Sequence, residues 1–219
     1  MPSISNSHWI QSNIINEGID VSVAIVDCGG ANLCSVATSI ERLKIPYVIT
    51  DNSDEIVKAQ YVILPGVGSA QNVMKHLESK NLNNVIIQLK QPVLGICIGM
   101  QILFKYSAEG NTKCLGIFDE NIDLFSESNL LKVPQMGWNK VVFSDSKLKK
   151  LNDYYYFANS YYAKTIDSTK AMSDYGNAFS SVVQKDNFLG CQFHPEKSAE
   201  AGVRFLEYFF TKSWESYQL

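Results

Sequence analysis

The stretch "PVLGICIGMQILF" (residues 92–104) sets Cys97 between Gly95 and Gly99, where an apolar run passes into helix-like sequence. Gly-x-Cys-x-Gly is the spacing of a nucleophile elbow, in which a strand turns sharply into a helix and holds its central side chain out. Glycines on either side allow that turn without Cβ clashes. The same composition suits a buried strand on which a helix packs closely, since free cysteine is among the most buried residues. By itself the stretch supports both a reactive thiol and a core residue.

A thiol nucleophile needs a base, and the chain has three histidines, His8, His76 and His194. His8 belongs to a polar N-terminal stretch. His76 lies among polar residues in the helical "QNVMKHLESK" and reads as a solvated side chain. His194 stands in "CQFHPEKS". Pro195 biases it toward an extended backbone, and a Glu196 that continued in that conformation would point to the same side, about 6.6 Å away at Cα. A carboxylate so placed can hold an imidazole nitrogen and stabilise the imidazolium. A solvated His and Glu at a strand end would look the same in isolation. Together with the elbow, Cys97, His194 and Glu196 supply nucleophile, base and orienter.

Attack on a carbonyl creates an oxyanion that needs preorganised N–H donors. The N–H of Ile98, just after the nucleophile, is one candidate, and "LPGVG" could aim a second from a neighbouring strand end. Gly66 and Gly68 permit such a pose, as they would a plain tight turn. Gln101, one turn beyond the elbow, could reach a polar substrate or be an ordinary helix-surface residue.

These residues require a scaffold whose strand ends converge. "VSVAIVD" (21–27), "PYVIT" (46–50), "YVILPGVGS" (61–69) and "PVLGICIG" (92–99) repeat an apolar, β-branched strand pattern separated by helical sequence, so the first hundred residues read as βαβαβα. Continuous apolar strands alternating with helices indicate a parallel sheet covered on both faces, with ligands outside the strands' carboxyl ends. After about residue 110 the sequence becomes strand-rich, in "LKVPQMGWNKVVF", "YYYFANSYYA" and "NAFSSVVQKDNFLGCQFHPE". A closing helix, "SAEAGVRFLEYFFTKSW", carries an apolar face of Val203, Leu206, Phe209 and Phe210. The expected fold is α/β: an open, mixed, mainly parallel sheet flanked by helices. Residues 1–19 read as a polar extension in which Trp9 is the one hint of docking, and 20–219 as one domain.

A net charge of −3 argues against nucleic acid or an anionic membrane as the main partner, which makes "KLKK" (147–150) a solvated face. Five cysteines without a CxxC pair suggest neither a zinc site nor a disulfide framework, and fit a reducing, cytoplasmic setting. No run reaches the roughly 18 apolar residues of a membrane span, and the N-terminus lacks a secretory signal pattern.

"LPGVG", "PVLGICIGMQILF", "SAEG", "VPQMGWNKV", "SYY" and "QFHPEKS" together resemble the class I (triad) glutamine amidotransferases, and within them the glutaminase subunits of imidazole glycerol phosphate synthases, over about residues 21–215. The elbow and "FHPEKS" are shared by the whole class, whereas "GMQ" followed by "SAEG", and "MGWN" before "SYY", narrow the match. The resemblance implies a flavodoxin-like fold and hydrolysis of glutamine to glutamate and ammonia by Cys97, His194 and Glu196. It implies an oxyanion region at Gly66, Val67 and Ile98, and glutamine contacts from Gln101, Ser160 and Tyr161. No metal or organic cofactor is called for.

Ammonia would pass to a (β/α)8-barrel cyclase in a heterodimer that makes imidazole glycerol phosphate and an aminoimidazole carboxamide ribotide, a lyase step of histidine biosynthesis. Met136, Trp138, Asn139 and Lys197 correspond to the docking face; a core Trp138 is the alternative. Three positions depart from the common pattern: Cys28 where the family often has Tyr, and Gln135 and Asn159 where it often has His. A paralogue serving a different synthase, such as an amide- or amidine-forming enzyme of surface-sugar biosynthesis, is the alternative within the class. A scaffold that only binds a partner, and a stand-alone cysteine hydrolase, are the alternatives outside it.

Overall fold

The computed structural model describes residues 23–29, 33–66, 68–126 and 131–212. The expected N-terminal extension, with His8 and Trp9, lies outside them, as does Val67. The first half alternates strand and helix: β1 (Val23–Val26), α1 (Leu33–Arg42), β2 (Tyr47–Thr50), α2 (Ser53–Lys58), β3 (Tyr61–Leu64), α3 (Ala70–Ser79), α4 (Leu82–Ile86), β4 (Val93–Ile96) and α5 (Ile98–Gln101). Polar caps start two of these helices. Asn52 accepts from the Asp54 and Glu55 amides ahead of α2, and Ser69 accepts from Asn72 ahead of α3.

The second half is mostly strands: β5 (Phe104–Ser107), β6 (Thr112–Lys113), β7 (Phe118–Leu124), β8 (Gln135–Phe143), β9 (Asp153–Asn159), β10 (Tyr161–Ala163), β11 (Thr169–Asp174), β12 (Ala178–Lys185) and β13 (Phe188–Cys191). Helix α6 (Ala199–Thr211) closes the described chain. The main sheet runs β2-β1-β3-β4-β13-β12-β11-β8-β9, and a smaller sheet runs β10-β7-β5-β6. From β2 to β13 every pairing is parallel, and from β13 to β9 every pairing is antiparallel. The expected mixed sheet is therefore present, with its change of direction at β13, but it is half rather than mainly parallel, with four pairings of each kind.

Strands β1 and β4 are buried along their whole length, as strands covered on both faces must be. The antiparallel part curls so that β9 returns against the residues following β13: the His194 N–H donates to the Tyr156 carbonyl at 2.9 Å. Aromatic rings fill that curl, with the Phe193 ring tilted against Tyr155 at 4.1 Å and edge-on to Phe205 at 5.0 Å.

Two expectations need correction. Helix α6 buries Ala201, Gly202, Phe205, Leu206 and Phe209, whereas Val203 is 37% exposed and Phe210 only half-buried. Gly202 sets this rotation, because a Cβ there would stand 1.9 Å from the Pro195 carbonyl oxygen, so that face must meet the turn after His194. His76 is not freely solvated either: it is half-buried, packs over Gly29, and has its Nε2 buried. "KLKK" falls in an exposed 3-10 segment, Ser146–Leu151, as its charge requires.

Candidate active site

Three adjacent parallel strands, β3, β4 and β13, deliver their carboxyl ends to one place. Leu64 of β3 is in register with Gly95, and Ile96 of β4 with Cys191 of β13. The residues that follow these strands are Pro65 and Gly66, Cys97, and Gln192 to His194. Cys97 begins the turn into α5 with φ 53° and ψ −109°, a conformation that a non-glycine residue rarely adopts. Such strain, on the order of 1–3 kcal/mol, persists only where the surroundings fix it. Here the Cys97 N–H donates to the Cys191 carbonyl at 2.8 Å and the Cys97 carbonyl accepts from Gln101 N at 3.0 Å.

The glycines around the elbow are required by close approach of backbone. A Cβ at Gly99 would stand 1.9 Å from the Leu64 oxygen, one at Gly95 2.5 Å from the Gly99 oxygen, and one at Gly66 2.4 Å from the Ile98 nitrogen. The two readings of "GICIG" thus coincide, since Cys97 is only 3% exposed and is also held on a strained turn at a strand end. Its Sγ receives the Gln192 side-chain amide at 3.7 Å and lies 4.0 Å from the Ala158 carbonyl oxygen.

His194 and Glu196 meet at 2.8 Å, Nδ1 to Oε1, with side chains 5% and 1% exposed. They meet for a different reason from the one the sequence suggested. His194 is extended, at φ −100° and ψ 97°, but Pro195–Lys197 is a 3-10 turn that folds the Glu196 carboxylate back. The other imidazole nitrogen is left for Cys97, and both side chains line the same cavity. Burial lowers the His194 pKa, but the hydrogen bonds and negative charges of Cys97 and Glu196 outweigh it, and the pKa is raised to about 10. The direction of that shift favours the imidazolium form of His194 beside Glu196. Burial, helped by the Asp27 charge, pushes the Cys28 thiol up to about 12, burial pushes Cys114 up to about 12, and burial pushes Cys191 well above its ordinary value.

Cys97 and His194 open into a cavity of about 320 Å³, at the small end of ligand-site volumes. Gly66, Ile98, Gln101, Ser160 and Tyr161, all expected at the site, line it. Gln101 is a buried residue rather than a surface one. Its Nε2 donates to the Tyr161 carbonyl at 3.0 Å and to Gln192 Oε1 at 2.9 Å, and its Oε1 has no partner.

Glu109 also lines the cavity and is the one carboxylate among the described lining residues; the sequence reading did not single it out. It accepts from the Ala70 N–H at 2.6 Å, at the start of α3. The signal for it lay within "SAEG", but its distance of 12 residues from Cys97 gives no reason to join them until the small sheet packs against α3.

Of the expected docking residues, Lys197 lines the cavity, and Met136, Trp138 and Asn139 lie on β8. Met136 is 65% and Trp138 55% exposed, which removes the core reading of Trp138. Trp138 meets Tyr156 edge-on across the β8–β9 register, and Lys197, a cavity-lining residue, places its Nζ 5.9 Å above the Tyr156 ring. Asn139 is half-buried and donates to the Asp174 carbonyl at 2.8 Å. The departing residues Gln135 and Asn159 face each other as direct cross-strand partners, 3% and 5% exposed, and Asn159 lines the cavity.

A family model described as glutamine amidotransferase class-I matches residues 24–213. The imidazole glycerol phosphate synthase subunit HisH of Bacteroides fragilis is 42% identical over 193 residues, 86% of this chain and 98% of that protein. The corresponding subunit of Buchnera aphidicola is 41% identical over 194 residues, again 86% and 98%, and the subunit HisH 2 of Legionella pneumophila 42% over 193, 86% and 97%. Among solved structures, a glutamine amidotransferase superposes with TM-score 0.69 at 14% identity, over 86% of this chain and 96% of that one. PurLQS from Thermotoga maritima gives 0.60 at 14%, over 88% and 98%. At such identities the likeness speaks for the fold. The family match and the relatives at over 40% identity speak for descent: the chain belongs to the class-I glutamine amidotransferase family.

Proposed function

We propose that Cys97, His194 and Glu196 form the triad by which this protein hydrolyses glutamine as the glutaminase subunit of imidazole glycerol phosphate synthase. The observation that carries the reading is the meeting of a strained, buried Cys97 with a charged His194–Glu196 pair from the adjacent parallel strand. The thiolate adds to the carboxamide carbon and the carbonyl electron pair moves onto oxygen. The Ile98 N–H and the Gly66–Val67 backbone are the candidates to receive that charge. Collapse breaks the C–N bond while the His194 imidazolium gives its proton to the departing ammonia. The neutral imidazole then takes a proton from water, whose hydroxide cleaves the thioester to glutamate and restores the thiolate. Glu196 holds the imidazole in place throughout.

The cavity suits the amino-acid end of glutamine. Glu109 can pair with the α-ammonium, the free Gln101 oxygen can accept from it, and Ser160 and Tyr161 border the same space.

Ammonia in water becomes ammonium, a poor nucleophile, so its release calls for a partner seated over the cavity mouth. Met136, Trp138, Asn139 and Lys197 would form that docking face, and a (β/α)8-barrel cyclase would be its occupant, in a cytoplasmic heterodimer. Among the described residues no helix is long and apolar enough to cross a membrane. The second reading, a paralogue that serves a different synthase, rests on Gln135 and Asn159, buried cross-strand partners where the family often has His. Mixing the chain with the histidine-pathway cyclase decides between them. Glutamine-dependent cyclisation and co-elution are expected; glutamine hydrolysis without either would move the protein to another acceptor.

A further inference from the structure

We propose that Gln192 is a further catalytic residue, whose side-chain amide donates to the Cys97 thiolate and ties it to Gln101 at the substrate cavity. The proposal rests on glutamine hydrolysis at Cys97. Gln192 follows β13 directly, and the register of Ile96 with Cys191 brings it beside Cys97. It is wholly buried. Its Nε2 lies 3.7 Å from Cys97 Sγ, and its Oε1 accepts from Gln101 Nε2 at 2.9 Å.

The orientation of this amide follows from its neighbours. Gln101 Nε2 also meets the Tyr161 carbonyl, which only accepts, so Gln101 presents its nitrogen and Gln192 must turn its oxygen toward it. That leaves the Gln192 nitrogen to face sulfur. A thiolate only 3% exposed has little access to water, so its charge depends on the donors built around it. Gln192 is such a donor, beside the imidazole of His194 in the same cavity.

The roles of these two donors differ. His194 surrenders its proton to ammonia during the first half of the reaction, whereas Gln192 keeps both of its amide hydrogens. It can therefore stabilise sulfur again when the thiolate leaves the acyl carbon. Through Gln101 the same side chain borders the glutamine cavity, so substrate contact and thiolate position share one hydrogen-bonded chain.

The test compares Gln192→Met and Gln192→Glu in the full chain, reading alkylation of Cys97 by iodoacetamide in the Cys97 peptide by mass spectrometry. Site-resolved detection is needed because Cys34 is exposed. Loss of the N–H in Gln192→Met is expected to slow Cys97 alkylation about tenfold at neutral pH, to lower kcat for glutamine by a similar factor and to raise KM. In Gln192→Glu the carboxyl donates only while protonated, so its rate relative to wild type should fall between about pH 6 and pH 8. A purely structural role predicts no such pH signature. Wild-type alkylation rates in both variants would overturn the proposal, as would failure of both to fold. A wild-type chain that alkylates readily at Cys97 but hydrolyses no glutamine even in complex with the cyclase would instead remove the glutaminase reading alone.

Discussion

The parallel and antiparallel parts of the main sheet solve different problems with the same kind of strand. Between β3 and β13 the backbones approach so closely that Gly66, Gly95 and Gly99 have no room for a methyl group. On β8 and β9 the outward face instead carries Met136, Trp138 and Tyr154, each more than half exposed. The first region fixes a thiol, a base and a backbone turn; the second offers an amphipathic surface. The proposed catalytic residues sit where backbones approach most closely, and the proposed docking residues where side chains remain uncovered.

Glycine substitutions break the comparison most directly. Gly99→Ala forces a methyl against the Leu64 carbonyl, so thermal unfolding should show a loss above about 3 kcal/mol or no folded protein. Gly137 in β8 has φ 132° and open space around its Cβ position; Gly137→Ala carries backbone strain alone and should cost on the order of 1–3 kcal/mol. Equal losses at the two sites would end the distinction.

In the catalytic region, Glu196→Gln removes the carboxylate that holds and charges His194. We expect kcat to fall about 100-fold or more with the fold retained, measured as glutamate release. In the exposed region, Trp138→Ala should weaken cyclase binding about 30-fold, an effect near 2 kcal/mol, while leaving the melting midpoint almost unchanged. Calorimetric titration with the cyclase reads the first quantity and thermal unfolding the second.

A further test is the pH dependence of stability. His194 binds its proton more tightly folded than unfolded. Its contribution is therefore complete below the ordinary value of 6.5 and is lost as pH rises toward about 10. Denaturant midpoints across that range should decline, and the His194 share of the decline should shrink in Glu196→Gln. An unchanged slope would show that Glu196 does not hold the charge.

How much of this was legible in the sequence follows the same division. Cys97 could be read because the elbow is local, and βαβ alternation signals a parallel sheet without any knowledge of register. His194 and Glu196 were found from their spacing, although the 3-10 turn that joins them was not, since Pro195 constrains the residue before it more strongly than those after. Glu109 was missed because only packing of the small sheet against α3 brings it to Cys97. The adjacency of Gln135 and Asn159 is a fact of strand register, which residue patterns 24 positions apart do not encode. Val203 was misplaced because helical periodicity is indifferent to one residue of rotation; contact of Gly202 with Pro195 decides it.

The central claim is that Cys97 is the glutamine-attacking thiol of a subunit that supplies ammonia to a partner. Cys97→Ala, assayed in complex with the cyclase, tests it most directly. Glutamine-dependent synthesis should disappear while synthesis from added ammonium salt continues at the wild-type rate. Equal loss of both activities would make Cys97 a structural residue and contradict the account.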